Sequence, residues 1–432
     1  MPTTEQAAPA LDLTYVRSQF PSLAQTVNGQ PAAFLDGPGG TQVPQRVIDA
    51  IANYLGHDNA NTGGAYVTSR RTDAMIAEAR AAIADFLHCG ADEVAFGPNM
   101  TTLTFAISRA IGRELKPGDE IVVTRLDHDA NVSPWLAMAE DRGVTVRWAE
   151  IHDADCTLDV ADLASKINQK TKLVAVGYAS NAVGTINPVK VICRLAHAAG
   201  ALAYVDAVHY GPHGLIDVAT VDCDFLACST YKFFGPHMGV LYGKREHLKR
   251  LRPYKVRPNT NAIPNCWEWG TLNHECIAGI TACVEYLADL GRVAHASRFS
   301  KSGDSELSRR AAIEAAYAAI HEHERALLER MMDGLKQIPG LKVYGITDPA
   351  RFNDRCTTFA VRIEGHTPLE LASKLGDHGF FTWDGNYYAL NLTEHLDVEK
   401  SGGFLRIGLV HYNTAEEVDR LLTALREIVA MP

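Results

Sequence analysis

"DFLACSTYKFFGPHMGVLYG", residues 224–243, sets two apolar runs around one basic residue, Lys232. Neither run alternates polar with apolar, the pattern of strands buried on both faces. A lysine between two such strands sits at a strand end. Either it snorkels to water on its long stem, or its amine is used chemically. Its neighbours Phe233, Phe234 and Pro236 are apolar, and desolvation drives an amine towards its neutral, nucleophilic form.

The same pattern extends upstream. "DEVAF", "DEIVVT", "TVRWAEI", "TKLVAVGYAS" and "ALAYVDAV" are buried-strand runs, each of the first four followed by a helical pattern such as "TTLTFAISRAI" or "VKVICRLAHAAG". With "DFLACS" and "GVLYG" they make seven strands. Strand–helix repetition predicts an α/β fold with a mainly parallel sheet, whose chemistry gathers beyond the carboxyl ends of the strands. Residues 271–336 read as helical, broken by the polar stretch "HASRFSKSGDSELS" at 295–308, an insertion or a lid. Beyond about 340, "LKVYG", "CTTFAVRI" and "FLRIGLV" read as alternating strands among helices, a smaller α+β unit.

Composition narrows the class of function. A chain of 432 residues, 47% hydrophobic, is long enough for two domains. A net charge of −10 argues against a nucleic-acid binder. The basic run "KREHLKRLRPYKVRP", 244–258, is expected as a solvated surface. Nine cysteines without a C-x-x-C pair suit free thiols in a reducing compartment. No secretory signal and no bilayer-spanning run is evident, so the expectation is a cytoplasmic protein with no membrane partner.

Several motifs carry chemistry. In "FLDGPGGTQVPQRVIDAI", 34–51, Gly37, Gly39 and Gly40 do not complete G-x-G-x-x-G, because Gln42 fills the last position. A dinucleotide site is therefore disfavoured, and close backbone approach is the better use for these glycines. Asp206 ends the strand "ALAYVD", where a buried carboxylate needs a partner. Lys232 follows the next strand. A carboxylate and an amine at one sheet edge suit pyridoxal phosphate: the lysine condenses with the aldehyde and the aspartate keeps the pyridine nitrogen protonated. "GPNMTTLTF", 97–105, turns a strand into a helix whose N-terminus, with Thr101, can hold a phosphate. His128 in "RLDHDANVSPW" follows another strand and can cover a flat ring.

These ordered motifs resemble the class V aminotransferase family of fold-type I pyridoxal-phosphate enzymes, in its cysteine desulfurase and selenocysteine lyase branch. "DHDANVSPW" is similar to E-H-H-A-N-x-x-P-W, "SNAVGT" to S-N-x-x-G-T, and "YVDAVH" to V-D-x-x-Q. "STYKFFGPHMGVLYG", "EWGTLN" and "RIGLVHYNTAEEVDRL" also match family motifs, and the likeness runs from about residue 31 to the C-terminus. The resemblance implies Lys232 as the Schiff-base lysine, His128 on the ring and Asp206 at the pyridine nitrogen. His209 stands in the glutamine position near the ring oxygen. Asn99, Met100, Thr101, Ser229 and Tyr231 would hold the phosphate, and Thr271 would reach the cofactor of the partner in a homodimer with shared sites. Asn181 and Arg406 would bind the carboxylate of a small amino-acid substrate, for which arginine's planar fork is suited. Arg70 and Arg71 in "NTGGAYVTSRRTD" could read a second acidic group. The implied domains are an arm at 1–30, a large cofactor domain at 31–290, a helical connection at 291–325 and a small domain at 326–432.

The chain departs from that branch at the loop "HGFFTWDGNYYALNL", 378–392. Desulfurases carry a nucleophilic cysteine there; the matching position is Tyr388 or a neighbour, and no cysteine lies between 357 and 432. The expectation is therefore a C–S lyase working by β-elimination without a persulfide cysteine. Alternatives are a class V aminotransferase or racemase using the same lysine, and a non-catalytic binding protein of this fold. No metal is expected.

Overall fold

The structure, a computed structural model, describes residues 11–299 and 307–430. Its centre is the predicted seven-stranded sheet. The strands are β1 (Val94–Gly97), β2 (Glu120–Thr124), β3 (Thr145–Ala149), β4 (Thr171–Gly177), β5 (Leu202–Asp206), β6 (Phe225–Ser229) and β7 (Gly239–Gly243), in spatial order β1-β7-β6-β5-β4-β2-β3. All lie parallel except β7, which runs antiparallel to both β6 and β1. The missing alternation in the sequence has a direct cause. In β2, Ile121 and Val123 face one core and Val122 faces the other; in β6, Phe225 and Ala227 oppose Leu226 and Cys228. Both faces are covered, so the interior positions of these strands are apolar, whereas the edge strand β3 alternates exposed and half-buried residues.

The helices that matter to the site are α1 (Val67–Leu87), α2 (Met100–Gly112), α3 (His274–Phe299), α4 (Arg309–Leu335) and α5 (Ala415–Ala430). Asn99 caps α2 by accepting from Thr102 N at 2.9 Å. A second, antiparallel sheet has strands β8 (Leu341–Tyr344), β9 (Thr358–Ile363), β10 (Trp383–Gly385) and β11 (Phe404–Gly408), in order β8-β9-β11-β10. Its core joins Phe359 and Ile407 to Leu327 and Met331 of α4 and to Leu421 and Leu425 of α5.

Four local readings differ from the structure. The run "TVRWAEI" divides into β3 and a two-residue strand, Ile151–His152, paired antiparallel with Thr157–Leu158. β11 was expected to alternate, yet all five residues are buried, because its second face packs against the large sheet's side of the molecule rather than water. β10 is unexpected as a strand: Trp-Asp-Gly carries no strand pattern of its own, and pairing with β11 makes the strand. The break at 295–308 begins later than predicted, since α3 continues through Phe299 and Ser308 caps α4; residues 300–306 lie outside the described residues. The anticipated boundaries at 290 and 325 fall within α3 and α4.

Three of the seven lysines and arginines in the basic run 244–258 are paired with acids. Lys244 pairs with Asp222, Arg245 with Asp92 and Arg250 with Glu114. Among the described residues, no helix is long and apolar enough to cross a membrane.

Candidate active site

Because β7 is the single reversed strand, the carboxyl ends of β1, β2, β4, β5 and β6 share one edge. The loops that leave this edge line a common pocket: Asn99, Met100 and Thr101 after β1, Asp127 and His128 after β2, Asn181 after β4, Asp206 and His209 at β5, and Ser229, Tyr231 and Lys232 at β6. Its outer part continues between His128, Lys232, Tyr388 and Arg406. The structure thus brings together most of the predicted residues.

Lys232 is half-buried, and its Nζ donates to the carbonyls of Pro38 and Gly39, the latter at 3.0 Å. The Gly37–Gly40 loop therefore does approach closely, as its glycines suggested, and what it approaches is this amine. Removal from water, reinforced by the Arg406 guanidinium, pushes the amine from its usual 10.5 down to about 7. The nearby acids Asp36 and Asp206 oppose that shift.

Asp206 is buried at the end of β5 and accepts from Val208 N at 2.8 Å. Burial raises its carboxyl to about 6. A second carboxylate, Asp127, went unassigned in the sequence. It accepts from Thr124 Oγ1 at 3.0 Å and from the Gly177 amide, which ties the end of β2 to β4. Burial, and then the charge of Asp206, hold its carboxyl well above the usual range. The signal was present: Asp127 occupies the first acidic position of "DHDAN".

His128 Nδ1 accepts from Ala130 N at 3.0 Å, and burial, followed by the charges of Lys232 and Arg406, holds its ring down to about 4. It is a neutral flat surface at pH 7. Tyr388 stacks on it with ring centroids 5.4 Å apart and an interplanar angle of 21°. Tyr388 is 72% exposed, at the pocket mouth. Both Tyr387 and Tyr388 have left-handed backbones, φ 56° and 60°, a strained pair for residues with a Cβ. The strain is held in place on both sides: Asn181 Nδ2 donates to Tyr387 O at 2.8 Å, and Asp129 N donates to Tyr388 O at 2.7 Å.

Arg406 is buried. It donates to Asp36 Oδ1 at 2.8 Å and to Asn181 O at 3.1 Å, and its guanidinium lies 4.2 Å from the Tyr387 ring centre. Its Nε is buried without a partner, as is Asn181 Oδ1. His209 Nε2 faces Thr358 Oγ1 at 3.1 Å, so this ring bridges the pocket to β9.

At the phosphate-type end, Met100 N donates to Ser229 Oγ at 3.0 Å, which joins the α2 N-terminus to β6. Asn99 differs from expectation: its side-chain oxygen is taken up by Thr102, so it caps the helix rather than offering that atom to a ligand. Thr101 is exposed into the pocket, and Tyr231 stacks on His237 at 4.8 Å. An amine, a buried carboxylate, a neutral flat imidazole and the N-terminus of a thirteen-residue helix fit the donor and acceptor set of pyridoxal phosphate.

Three predicted residues stand apart. Arg70 and Arg71 are exposed; Arg70 donates to Ala65 O, and Arg71 pairs with Asp58 at 2.9 Å. Thr271 is exposed and lines a separate crevice together with Thr62, Gly63 and Asp73. None lines the Lys232 pocket of its own chain, because α1 and the segment before α3 lie away from the strand ends.

An aminotransferase class-V sequence profile matches residues 33–309 and 307–421. The chain belongs to this family of pyridoxal-phosphate enzymes. It is 32% identical to a cysteine desulfurase of Pectobacterium carotovorum over 429 residues, covering 96% of this chain and 97% of that protein. It is 31% identical to an aminotransferase-like protein of Gibberella zeae, covering 96% and 98%. Among solved structures, the apo cysteine desulfurase of Thermococcus onnurineus superposes with a TM-score of 0.84 at 25% identity, over 98% of this chain and 99% of that one. The chain is thus a cysteine desulfurase-like enzyme of the class V family.

Proposed function

We propose that this enzyme cleaves the C–S bond of a cysteine-like amino acid by β-elimination, without passing sulfur to a cysteine of its own. The observation that carries this reading is the lining of the pocket: among the described residues, no cysteine lines either part of it, and Tyr388 stands at its mouth. Seven of the nine thiols are buried, and the other two, Cys89 and Cys276, lie elsewhere.

Pyridoxal phosphate, when bound, supplies an electron sink that acidifies the substrate Cα–H. Lys232 would anchor it and Asp206 would pair with its ring nitrogen. His128 would cover its ring, and the Thr101 amide and hydroxyl, with Ser229, would hold its phosphate at the start of α2. Arg406 and Asn181, which each keep a buried unpaired atom, take the substrate carboxylate; Asp36 must share or yield the guanidinium. Lys232 Nζ, held near neutrality, removes the Cα proton. The C–S electron pair leaves on sulfur, and Tyr388 shields the departing group from water. With cysteine, the balance is cysteine plus water giving sulfide, pyruvate and ammonia.

The 61–73 segment and Thr271 share one crevice outside the pocket, which supports a homodimer in which each chain lends these residues to its partner's site. Arg70 and Arg71, exposed on the same segment, would read a second acidic group of the substrate in the partner's site.

The test is a product screen over sulfur-containing amino acids. Stoichiometric pyruvate and ammonia with sulfide are expected, and Lys232→Ala should reduce turnover at least about 100-fold. Alanine with persulfide as the sole products would defeat the elimination reading. Keto acid retaining its side chain would establish transamination by the same lysine instead.

A further inference from the structure

Behind the His209 wall of the pocket lie two more buried donors that the proposed reaction does not use. Nitrogens of His209 and His213 and the sulfur of Cys356 all come within 4.8 Å of one another, and all three residues are buried. His213 Nδ1 lies 2.7 Å from Glu324 Oε2. With Nδ1–H directed at this carboxylate, Nε2 is the ring atom left open to a ligand. That Nε2 has no partner. His209 has its Nε2 against Thr358 Oγ1, and its Nδ1 is likewise buried without a partner. Buried polar atoms left unsatisfied lose their hydration without a substitute, so an occupant is called for.

We propose that His209, His213 and Cys356 bind one zinc ion per chain. Two imidazoles and a thiolate are the nitrogen–sulfur donor set zinc selects, and a fourth position stays open for water. The supporting contacts have the form metal sites use. Glu324 fixes the tautomer of His213, and Thr357 Oγ1 in turn donates to Glu324 at 3.0 Å. Thr358 orients His209 in the same way. Zinc bonds of about 2.0–2.3 Å place neighbouring ligands roughly 3.5 Å apart, so binding draws the three atoms inward. Entry is available, because His213, Cys356 and Glu324 also line a cavity beside α4. The ion would clip the loop after β5 to the start of β9, joining the two sheets and fixing the His209 ring at the pocket wall. Binding displaces the Cys356 proton to solvent; no electron moves.

The competing occupant is a water molecule, and the test separates the two. The full-length enzyme, loaded with pyridoxal phosphate, is exposed to zinc sulfate, desalted and analysed for metal. One zinc per chain is expected in the wild type, and less than about a tenth of that in Cys356→Ala, with the cofactor absorbance of the variant unchanged. Cobalt(II) titration of the metal-free wild type should give a thiolate-to-cobalt absorption band saturating at one equivalent. This arm needs no variant, so a Cys356→Ala protein that misfolds leaves the proposal testable. Absence of that band, or zinc retained equally by Cys356→Ala and His213→Gln, overturns it.

Discussion

At Lys232, the physics is set by what surrounds one amine. Its folded pKa is depressed to about 7 by burial and by Arg406. The folded protein therefore binds fewer protons here than the unfolded chain, and this group's destabilising contribution is relieved as pH rises from about 7 towards 10.5. The kinetic consequence follows the same sign. Uptake of pyridoxal phosphate by the cofactor-free enzyme should accelerate as pH rises through about 7 and then level off. Stopped-flow absorbance measures this, and a rate that keeps climbing tenfold per unit above about pH 8 would contradict the assigned environment. Lys232, Asp206 and His128 were legible in sequence because each follows a recognisable buried strand. Asp127 is harder to read, because its role is internal, tying two strand ends, and only its place at the head of "DHDAN" marks it. Arg406 is legible as a site residue from its motif, but its partner Asp36 lies 370 positions away in sequence.

At the level of elements, the phosphate-type site depends on how closely β7 passes the turn into α2. A Cβ on Gly239 would overlap the Asn99 backbone, so only glycine lets the strand run this near the helix start. Gly239→Ala should push the α2 N-terminus outward, costing about 1–3 kcal/mol of stability. Cofactor release should quicken in parallel. Urea denaturation and dialysis against buffer check both, and an unchanged cofactor dissociation rate would show that α2 does not hold the phosphate. The loop carrying Tyr387 and Tyr388 belongs to the same scale. Its consecutive left-handed residues persist because Asn181 and the Asp129 amide hold their carbonyls. No propensity of "NYYA" predicts that conformation, since tyrosine disfavours it.

The whole molecule poses the question of assembly. Thr271 stands outside its own chain's pocket, so its proposed role requires a second copy. If sites are shared, Lys232→Ala and Thr271→Glu chains, each impaired alone, should complement when refolded together. Statistical pairing puts one intact site in half of the dimers, giving about a quarter of wild-type activity. A mixture no more active than its parents, or a monomer by sedimentation, would refute the shared site.

The sequence by itself determined the large sheet, the order of its strands along the chain and the residues at its carboxyl edge. Burial on both faces forces uninterrupted apolar runs, and the reacting groups must sit where those runs stop. It also carried the absence of a cysteine from the 378–392 loop. Only the tertiary structure decided which groups meet across long separations. It paired Arg406 with Asp36, set Tyr388 over His128, spent the Asn99 side chain on a helix cap and gathered His209, His213 and Cys356. Those outcomes depend on how the two sheets pack against each other. Packing is a property of filled volume in three dimensions, and periodicity along the chain does not encode it.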